Sequence, residues 1–303
     1  MRKLIVVFFS FLLISTVRSQ TVDEVLSKFE NAIGGRAALD TIKTLQISGT
    51  LKFDMMGRTV TAGLDVIRDK GKFFRRQVTG AMGMGKSYTI ITDTEGFVAI
   101  PRMRGRGGYG GGGEMGGGSL EGGGFGGGNP NRGNYPGGGG IPGGDNGGNM
   151  EKLSATQVAE QQFELDPAGP FAPLINYAAK GNKAELVGTA KANKVECLKI
   201  KFTYKSGQQI TYYISSKDYL IVQSEAIAKF AVSQVGIGPV LSSMGANSRD
   251  NMKTIMTYGN YKDYNGIKFP GVQKLQFGAL DIVVENTDVK INQPIDAKWL
   301  TAD

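Results

Sequence analysis

The sequence predicts an α+β fold in which a strongly curved antiparallel sheet, a sandwich or an open barrel, is covered by helices. Apolar and polar residues alternate with period two on both sides of a glycine-rich tract. Helix-start signals stand near the beginning of the predicted mature chain and directly after the tract. Neither half carries a complete set of helices and strands, so we predict one domain over residues 20–303 that the tract interrupts.

The N-terminal segment predicts export. A basic start, Met1-Arg2-Lys3, precedes an apolar run from Leu4 to Ile14, and small residues follow it before Gln20. The run is too short to remain comfortably as a membrane-spanning helix. We therefore expect residues 1–19 to be a signal peptide that is cleaved near Ser19/Gln20.

Helices and then strands are predicted between the signal peptide and the tract. Thr21 and Glu24 form a capping box that starts a helix, and Gly34-Gly35 ends it. A second short helix is predicted over 36–44. Period-two alternation then predicts strands over 45–53, 60–66, 73–79, 88–92 and 97–100, of which the half-polar segment 73–79 is expected to lie at the surface.

The same order of elements is predicted beyond the tract. Ser154 and Gln157 form another capping box, whose helix runs toward Asp166-Pro167. The segment 171–180 is predicted to be a further helix. Strands are expected over 198–204, 210–214, 220–226, 252–258, 267–277 and 280–291.

The glycine-rich tract, residues 104–149, is predicted to be a disordered insertion. Its few apolar residues cannot offset a backbone ordering cost of about 1–2 kcal/mol per residue. Its opening, Arg104 to Tyr109, resembles Arg-Gly-Gly segments that bind RNA. The predicted export and the lack of a folded RNA-binding motif argue against that function, so we expect no nucleic-acid partner.

Residues 80–87, GAMGMGKS, match every fixed position of the phosphate-binding loop that holds nucleotides. That loop works only between a buried strand and the N-terminus of a helix. Here a half-polar segment precedes the motif and the β-branched segment Tyr88 to Thr92 follows it. We therefore predict a hairpin at this position and no nucleotide binding.

Composition excludes several kinds of chemistry. The chain has no histidine, which removes histidine-based catalytic triads and histidine–metal sites. The single cysteine, Cys197, cannot form an internal disulfide and is predicted to be a buried residue of a strand. Carboxylates such as Asp93, Glu95 and Asp263 are explained by turns. We expect no catalytic residue, no metal and no cofactor, and so no enzyme.

Several segments, in this order, resemble those of a known family. The segments are FENAIGGRAAL at 29–39, ITDTEGFVAIP at 91–101, YKDYNGIKFP at 261–270 and INQPID at 291–296. They are similar to periplasmic lipoprotein carriers, the LolA/LolB-like outer-membrane lipoprotein-sorting proteins, and especially to the longer forms found in Bacteroidetes.

The resemblance implies a half-open β-barrel with a helical lid that holds acyl chains in the periplasm. It implies a non-catalytic, monomeric carrier of lipoprotein acyl chains or another lipid, with an envelope protein as a further candidate partner. In the family an arginine just after the second strand tethers the lid, and Arg68 is its nearest counterpart here; the other interpretation of Arg68 is a solvated arginine at a strand end.

The apolar wall of such a cavity would come from the inward positions of the predicted strands. These are Leu45, Ile47, Leu51, Phe53, Val60, Leu64, Val66, Phe97, Leu198, Ile200, Phe202, Ile210 and Tyr212. The same residues could equally form a packed core. The alternative function is therefore an exported scaffold or protein-interaction module of the same fold with a filled core.

Overall fold

The computed structural model describes residues 20–55, 57–83, 85–100, 149–243 and 251–301. The predicted signal peptide and the predicted insertion, apart from Asn149, lie outside these residues. The helices within them are α1 (Val22–Ala32), α2 (Arg36–Asp40), α3 (Ala155–Gln161), α4 (Ala228–Val235) and α5 (Gly238–Ser243). None of the helices in this part of the chain is long and apolar enough to cross a bilayer.

The described residues form one sheet of thirteen antiparallel strands. The strands are β1 (Thr44–Met55), β2 (Arg58–Asp69), β3 (Phe73–Thr79), β4 (Lys86–Thr92), β5 (Gly96–Ile100), β6 (Asn149–Lys152), β7 (Lys183–Ala192), β8 (Val195–Thr203), β9 (Gln209–Ser215), β10 (Ile221–Ile227), β11 (Lys253–Tyr264), β12 (Ile267–Phe277) and β13 (Leu280–Ile291). The curved, unclosed sheet with its few helices confirms the predicted fold class.

The sheet consists of two meanders joined along one pair of strands. Strands β1 to β6 pair in chain order, as do β7 to β13, and β1 pairs with β13 where the meanders meet. The pairing shifts register between Ser48 and Gly49, where the two strands come very close. A Cβ at Gly49 would lie 2.4 Å from the Glu285 carbonyl oxygen, so this junction requires glycine.

The core lies on the concave face of the sheet. Helix α1 buries Val25, Leu26 and Phe29 in one large apolar cluster with the inward side chains of the strands. The Thr21–Glu24 capping box is present at its start, as predicted. Aromatic rings fill much of the space between the sheet and the helices. The centroid of the Phe202 ring, for example, lies 5.1 Å from that of Tyr204 and 5.9 Å from that of Tyr212. Such edge-on contacts stabilise the packing beyond their buried area.

Several predicted elements differ from the structure. Segment 171–180 is not a helix: a 3-10 turn at Gly169–Leu174 is followed by turns, because Pro170 and Pro173 lack the N–H groups that an α-helix needs. The second helix ends at Asp40, four residues before the predicted 44, where β1 already begins. Period-two alternation did not predict strands β6 and β7, and helices α4 and α5 were not predicted either.

Strand β3 was predicted at the surface, and that prediction is wrong. Six of its seven residues are buried, including Arg75, Arg76 and Gln77. Other parts of the chain cover both faces of the strand. By contrast Cys197 is buried within β8 as predicted, and burial raises the pKa of its thiol.

The GAMGMGKS segment joins two antiparallel strands, as predicted. Gly80 and the 3-10 turn Ala81–Gly83 connect β3 to β4, in which Lys86 pairs with Thr79 and Ser87 with Val78. Ser87 is buried and Lys86 is exposed. A strand thus occupies the place of the helix whose N-terminus would face a phosphate.

Candidate functional site

One segment of the chain spans the concave face between the two edges of the sheet. We call residues 153–182, which connect β6 to β7, the covering segment; it contains α3, a 3-10 turn at Gln162–Leu165 and the 3-10 turn at Gly169–Leu174. The predicted capping box of Ser154 and Gln157 starts α3. Because β6 and β7 are not paired with each other, this segment occupies the open side of the sheet.

Aromatic side chains hold the covering segment against the sheet and the other helices. The Phe163 ring centroid lies 5.2 Å from Tyr204 and 5.8 Å from Phe230 of α4. The Phe171 ring lies 5.7 Å from Phe29 of α1 and 5.4 Å from Tyr258 of β11. The segment is therefore part of the main apolar core.

A buried ion triad of Glu164, Arg68 and Arg76 fixes the middle of the covering segment. Arg68 Nη2 donates to Glu164 Oε2 at 2.5 Å, and Arg76 Nη2 donates to Glu164 Oε1 at 3.1 Å. Arg68 Nε also donates to the Glu164 carbonyl oxygen at 3.2 Å. The side chains are only 1%, 7% and 5% exposed for Arg68, Arg76 and Glu164, so these contacts are made away from water.

Burial and the neighbouring charges shift the pKa of Glu164 in opposite directions. Burial by itself disfavours the ionised Glu164 carboxylate, but the neighbouring Arg76 and Arg68 outweigh it and leave the Glu164 pKa lowered. Burial lowers the pKa of Arg76 from its usual value, and Arg68 lowers it further while Glu164 opposes this. The two guanidinium groups therefore favour the charged form of the Glu164 carboxylate.

Arg76 also reaches the C-terminal end of α4. Its Nη1 donates to the Ser233 carbonyl oxygen at 2.7 Å, where the helix dipole favours a cation. Gly236 follows the helix with φ +79°, and a Cβ there would lie 2.7 Å from Arg76 Cδ. A residue without a side chain at this position leaves room for the arginine.

The structure places Arg68 in the interior, against the covering segment. The solvated strand-end arginine is wrong, because Arg68 is buried and contacts the covering segment through Glu164. Sequence reasoning missed Arg76 and Glu164 altogether. A signal was available: neighbouring residues of a strand point to opposite faces, so one of the consecutive arginines Arg75 and Arg76 has to face inward.

The predicted apolar wall lies mostly in one place. Eleven of its residues belong to the main buried cluster, and Val60 packs against that cluster. Phe97 does not share their face: it pairs with Ile90, whose side chain belongs to a second cluster on the opposite face. The placement of Phe97 on the inner wall was therefore wrong. The other twelve wall residues are packed against side chains of the protein itself.

A cavity of about 450 Å³ opens beside the covering segment. Phe163, Leu165, Ala172 and Tyr204 contribute its apolar lining, and these include both sequence neighbours of Glu164. Three lysines line it as well: Lys70, Lys180 and Lys205. None of the predicted wall residues lines this cavity.

The convex face carries a second apolar cluster, which the C-terminal strap, residues 292–301, partly covers. Ile295 and Trp299 pack against the cluster that includes Phe73 and Tyr88. Arg75 Nη1 donates to the carbonyl oxygens of Trp299, at 3.3 Å, and Thr301. The Arg75 guanidinium carbon lies 4.5 Å from the Tyr88 ring centroid and 5.8 Å from that of Trp299.

We expect Trp299→Ala to lower the free energy of unfolding by about 1–2 kcal/mol, because it removes a half-buried ring and a cation–π contact. Denaturant unfolding of the mature protein measures the change. Leu300→Ala, at an exposed residue of the same strap, is the matched control and should have little effect. Equal losses in both variants would show that Trp299 does not anchor the strap.

No family model and no curated protein matches the sequence. Among solved structures, the chain is similar to a LolA superfamily protein from Nitrosomonas europaea, at 9% identity and a TM-score of 0.48 over 93% of this chain and 98% of the other. It is also similar to a DUF1329 family protein from Desulfovibrio piger, at 8% identity and a TM-score of 0.44 over 94% and 98%. A domain named for outer membrane lipoprotein sorting, from Vibrio parahaemolyticus, has 8% identity and a TM-score of 0.42 over 90% and 94%.

Proposed function

We propose that the protein is a non-catalytic carrier in the periplasm, which binds acyl chains of lipoproteins or another lipid between the curved sheet and the covering segment. The observation that carries this proposal is the covering segment itself. It spans the open side of an apolar concave face. In its middle, beside a cavity, Glu164 forms a buried ion pair with Arg68 of the sheet. We further propose that it acts as a monomer after its signal peptide is removed.

The net stabilisation from the buried ion triad is small enough for the covering segment to open. Burying an acyl chain contributes about 0.8 kcal/mol per CH₂ group, so a carrier needs an opposing cost if it is to release its ligand. Ions that are buried lose much of their mutual attraction to desolvation. The contacts of Glu164 with Arg68 and Arg76 therefore specify where the covering segment lies without holding it down strongly.

The cavity offers an entry point for an acyl chain. Its volume of about 450 Å³ lies within the usual range of ligand sites, about 300–1,000 Å³. Phe163 and Tyr204 separate the cavity from the aromatic core. A long chain would have to move Phe163 and the covering segment aside to reach the predicted wall residues, including Leu45, Ile200 and Tyr212.

Ala159→Trp should weaken acyl binding by about tenfold or more, because Ala159 is an exposed residue at the lining of the cavity and a ring there would block the entrance. Displacement of a fluorescent fatty acid by dodecanoate measures the affinity. Ala155→Trp, on an exposed position of the same helix away from the cavity, is the control and should bind like the parent. Equal affinity in all three proteins would rule out this entrance, and no binding by the parent would overturn the proposed function.

The second candidate is a scaffold with a filled core, and the aromatic packing favours it. Phe163, Phe202 and Phe230 all lie within 6 Å of the Tyr204 ring. In that case the mature protein would bind no acyl chain, and cross-linking in intact cells would trap one envelope protein without co-purifying lipid.

A further inference from the structure

We propose that Arg68 and Arg76 form a binding site for the anionic headgroup of an amphiphile, a carboxylate or a phosphate, which the Glu164 side chain occupies while the covering segment lies on the sheet. This inference rests on the proposed carrier function and names the chemical class of its ligand. It follows from the charges, the geometry and the position of the ion triad.

The charges of the triad do not balance. Two guanidinium groups face a single carboxylate, and the further contacts of the Arg76 guanidinium are the Ser233 carbonyl at the end of α4 and the Phe74 ring, neither of which carries a full negative charge. Arg76 is 7% exposed, and its Nε has no hydrogen-bond partner within the described part of the chain. Burying an unpaired donor of a charged group is costly. The site can therefore accept a further anionic oxygen.

The two arginines are arranged for one shared ligand. Both guanidinium carbons lie over the Phe74 ring, Arg68 at 5.0 Å and Arg76 at 4.8 Å from its centroid. Each arginine donates to a different oxygen of the Glu164 carboxylate. Planar guanidinium groups that donate in this way bind carboxylates and phosphates alike.

The position of the triad connects it with the cavity. Glu164 lies between Phe163 and Leu165, which both line the cavity, and its charge also acts on Tyr204 of the same lining. When the turn Gln162–Leu165 moves away from the sheet, it carries the Glu164 carboxylate with it and leaves both arginines behind on β2 and β3. A ligand with its acyl chain in the opened space could then place its headgroup on them.

The test compares amphiphiles that share one chain length. Displacement of a fluorescent fatty acid from the mature protein at neutral pH gives affinities for dodecanoate, dodecyl phosphate and dodecanol. We expect both anions to bind about tenfold or more tightly than the alcohol, since a hydrogen bond to a charged group has an effect of that size. Whichever anion binds more tightly identifies the headgroup chemistry.

Variants test whether the preference for anionic amphiphiles over the alcohol depends on the two arginines. Arg76→Met should abolish the preference for anions, whereas Arg58→Met, which removes the same charge from an exposed position, should keep it. Glu164→Gln should strengthen it, because an uncharged amide competes less well for the arginines. If Arg76→Met does not fold, the comparison of the parent with Glu164→Gln decides the question.

Equal binding of all three amphiphiles by the parent, or an unchanged preference in Arg76→Met or in Glu164→Gln, would overturn this inference and leave the carrier function standing. If none of them binds, the carrier function itself fails.

Discussion

Replacing Glu164 with alanine should lower the free energy of unfolding by about 3–5 kcal/mol, because it leaves two buried guanidinium groups without their carboxylate. Equilibrium unfolding in urea measures the loss. Glu160→Ala, on the same covering segment, is the matched control, and we expect a change within about 0.5 kcal/mol for it. A loss below about 1 kcal/mol for Glu164→Ala would mean that the two buried guanidinium groups do not depend on the Glu164 carboxylate.

The pH dependence of stability gives a second measure of the same carboxylate. The Glu164 pKa is lowered in the folded protein, so its contribution is fully present above the unfolded pKa of about 4.3 and is lost as the pH falls through the lowered folded value. The parent should therefore lose stability below about pH 4. In Glu164→Gln this part of the loss should be missing, and an unchanged acid profile would contradict the assignment.

Phe171→Ala should also lower the free energy of unfolding by about 3–5 kcal/mol, since the ring is 1% exposed and joins the covering segment to α1 and β11. Thermal and urea unfolding of the mature protein measure the loss. Phe97→Ala provides a control on the opposite face of the sheet, where the ring is only half-buried, and should cost clearly less. A similar small loss in both would show that the covering segment contributes little to the stability of the core.

The alternation of apolar and polar residues, together with the two capping boxes, predicted most of the fold. The alternation in β1, β2, β12 and β13 is clear because one face of each strand is apolar. Helix α4 was missed for a physical reason: Ile227 stands at its N-cap and makes no side-chain capping bond, so no start signal precedes it. The pairing of β1 with β13 depends on contacts between distant segments, which no local pattern records.

The candidate site was predicted only in part. Alternation located the apolar face that contains Leu45, Ile47 and Phe202, but it does not tell whether a ligand or the protein's own rings cover that face. The resemblance pointed to Arg68. Its partner Glu164 stands nearly a hundred residues later in a 3-10 turn, a location without periodicity, so only the folded structure brings the two together.

The meeting of β1 with β13 has a consequence for how the molecule assembles. The two strands come from opposite ends of the described chain, and neither meander gains its central neighbour until both are present. Pairings between such distant segments form late and slowly, because the loop entropy is lost before the contacts repay it. The pairing of β1 with β13 should therefore be one of the last steps of folding, after the hairpins within each meander have formed.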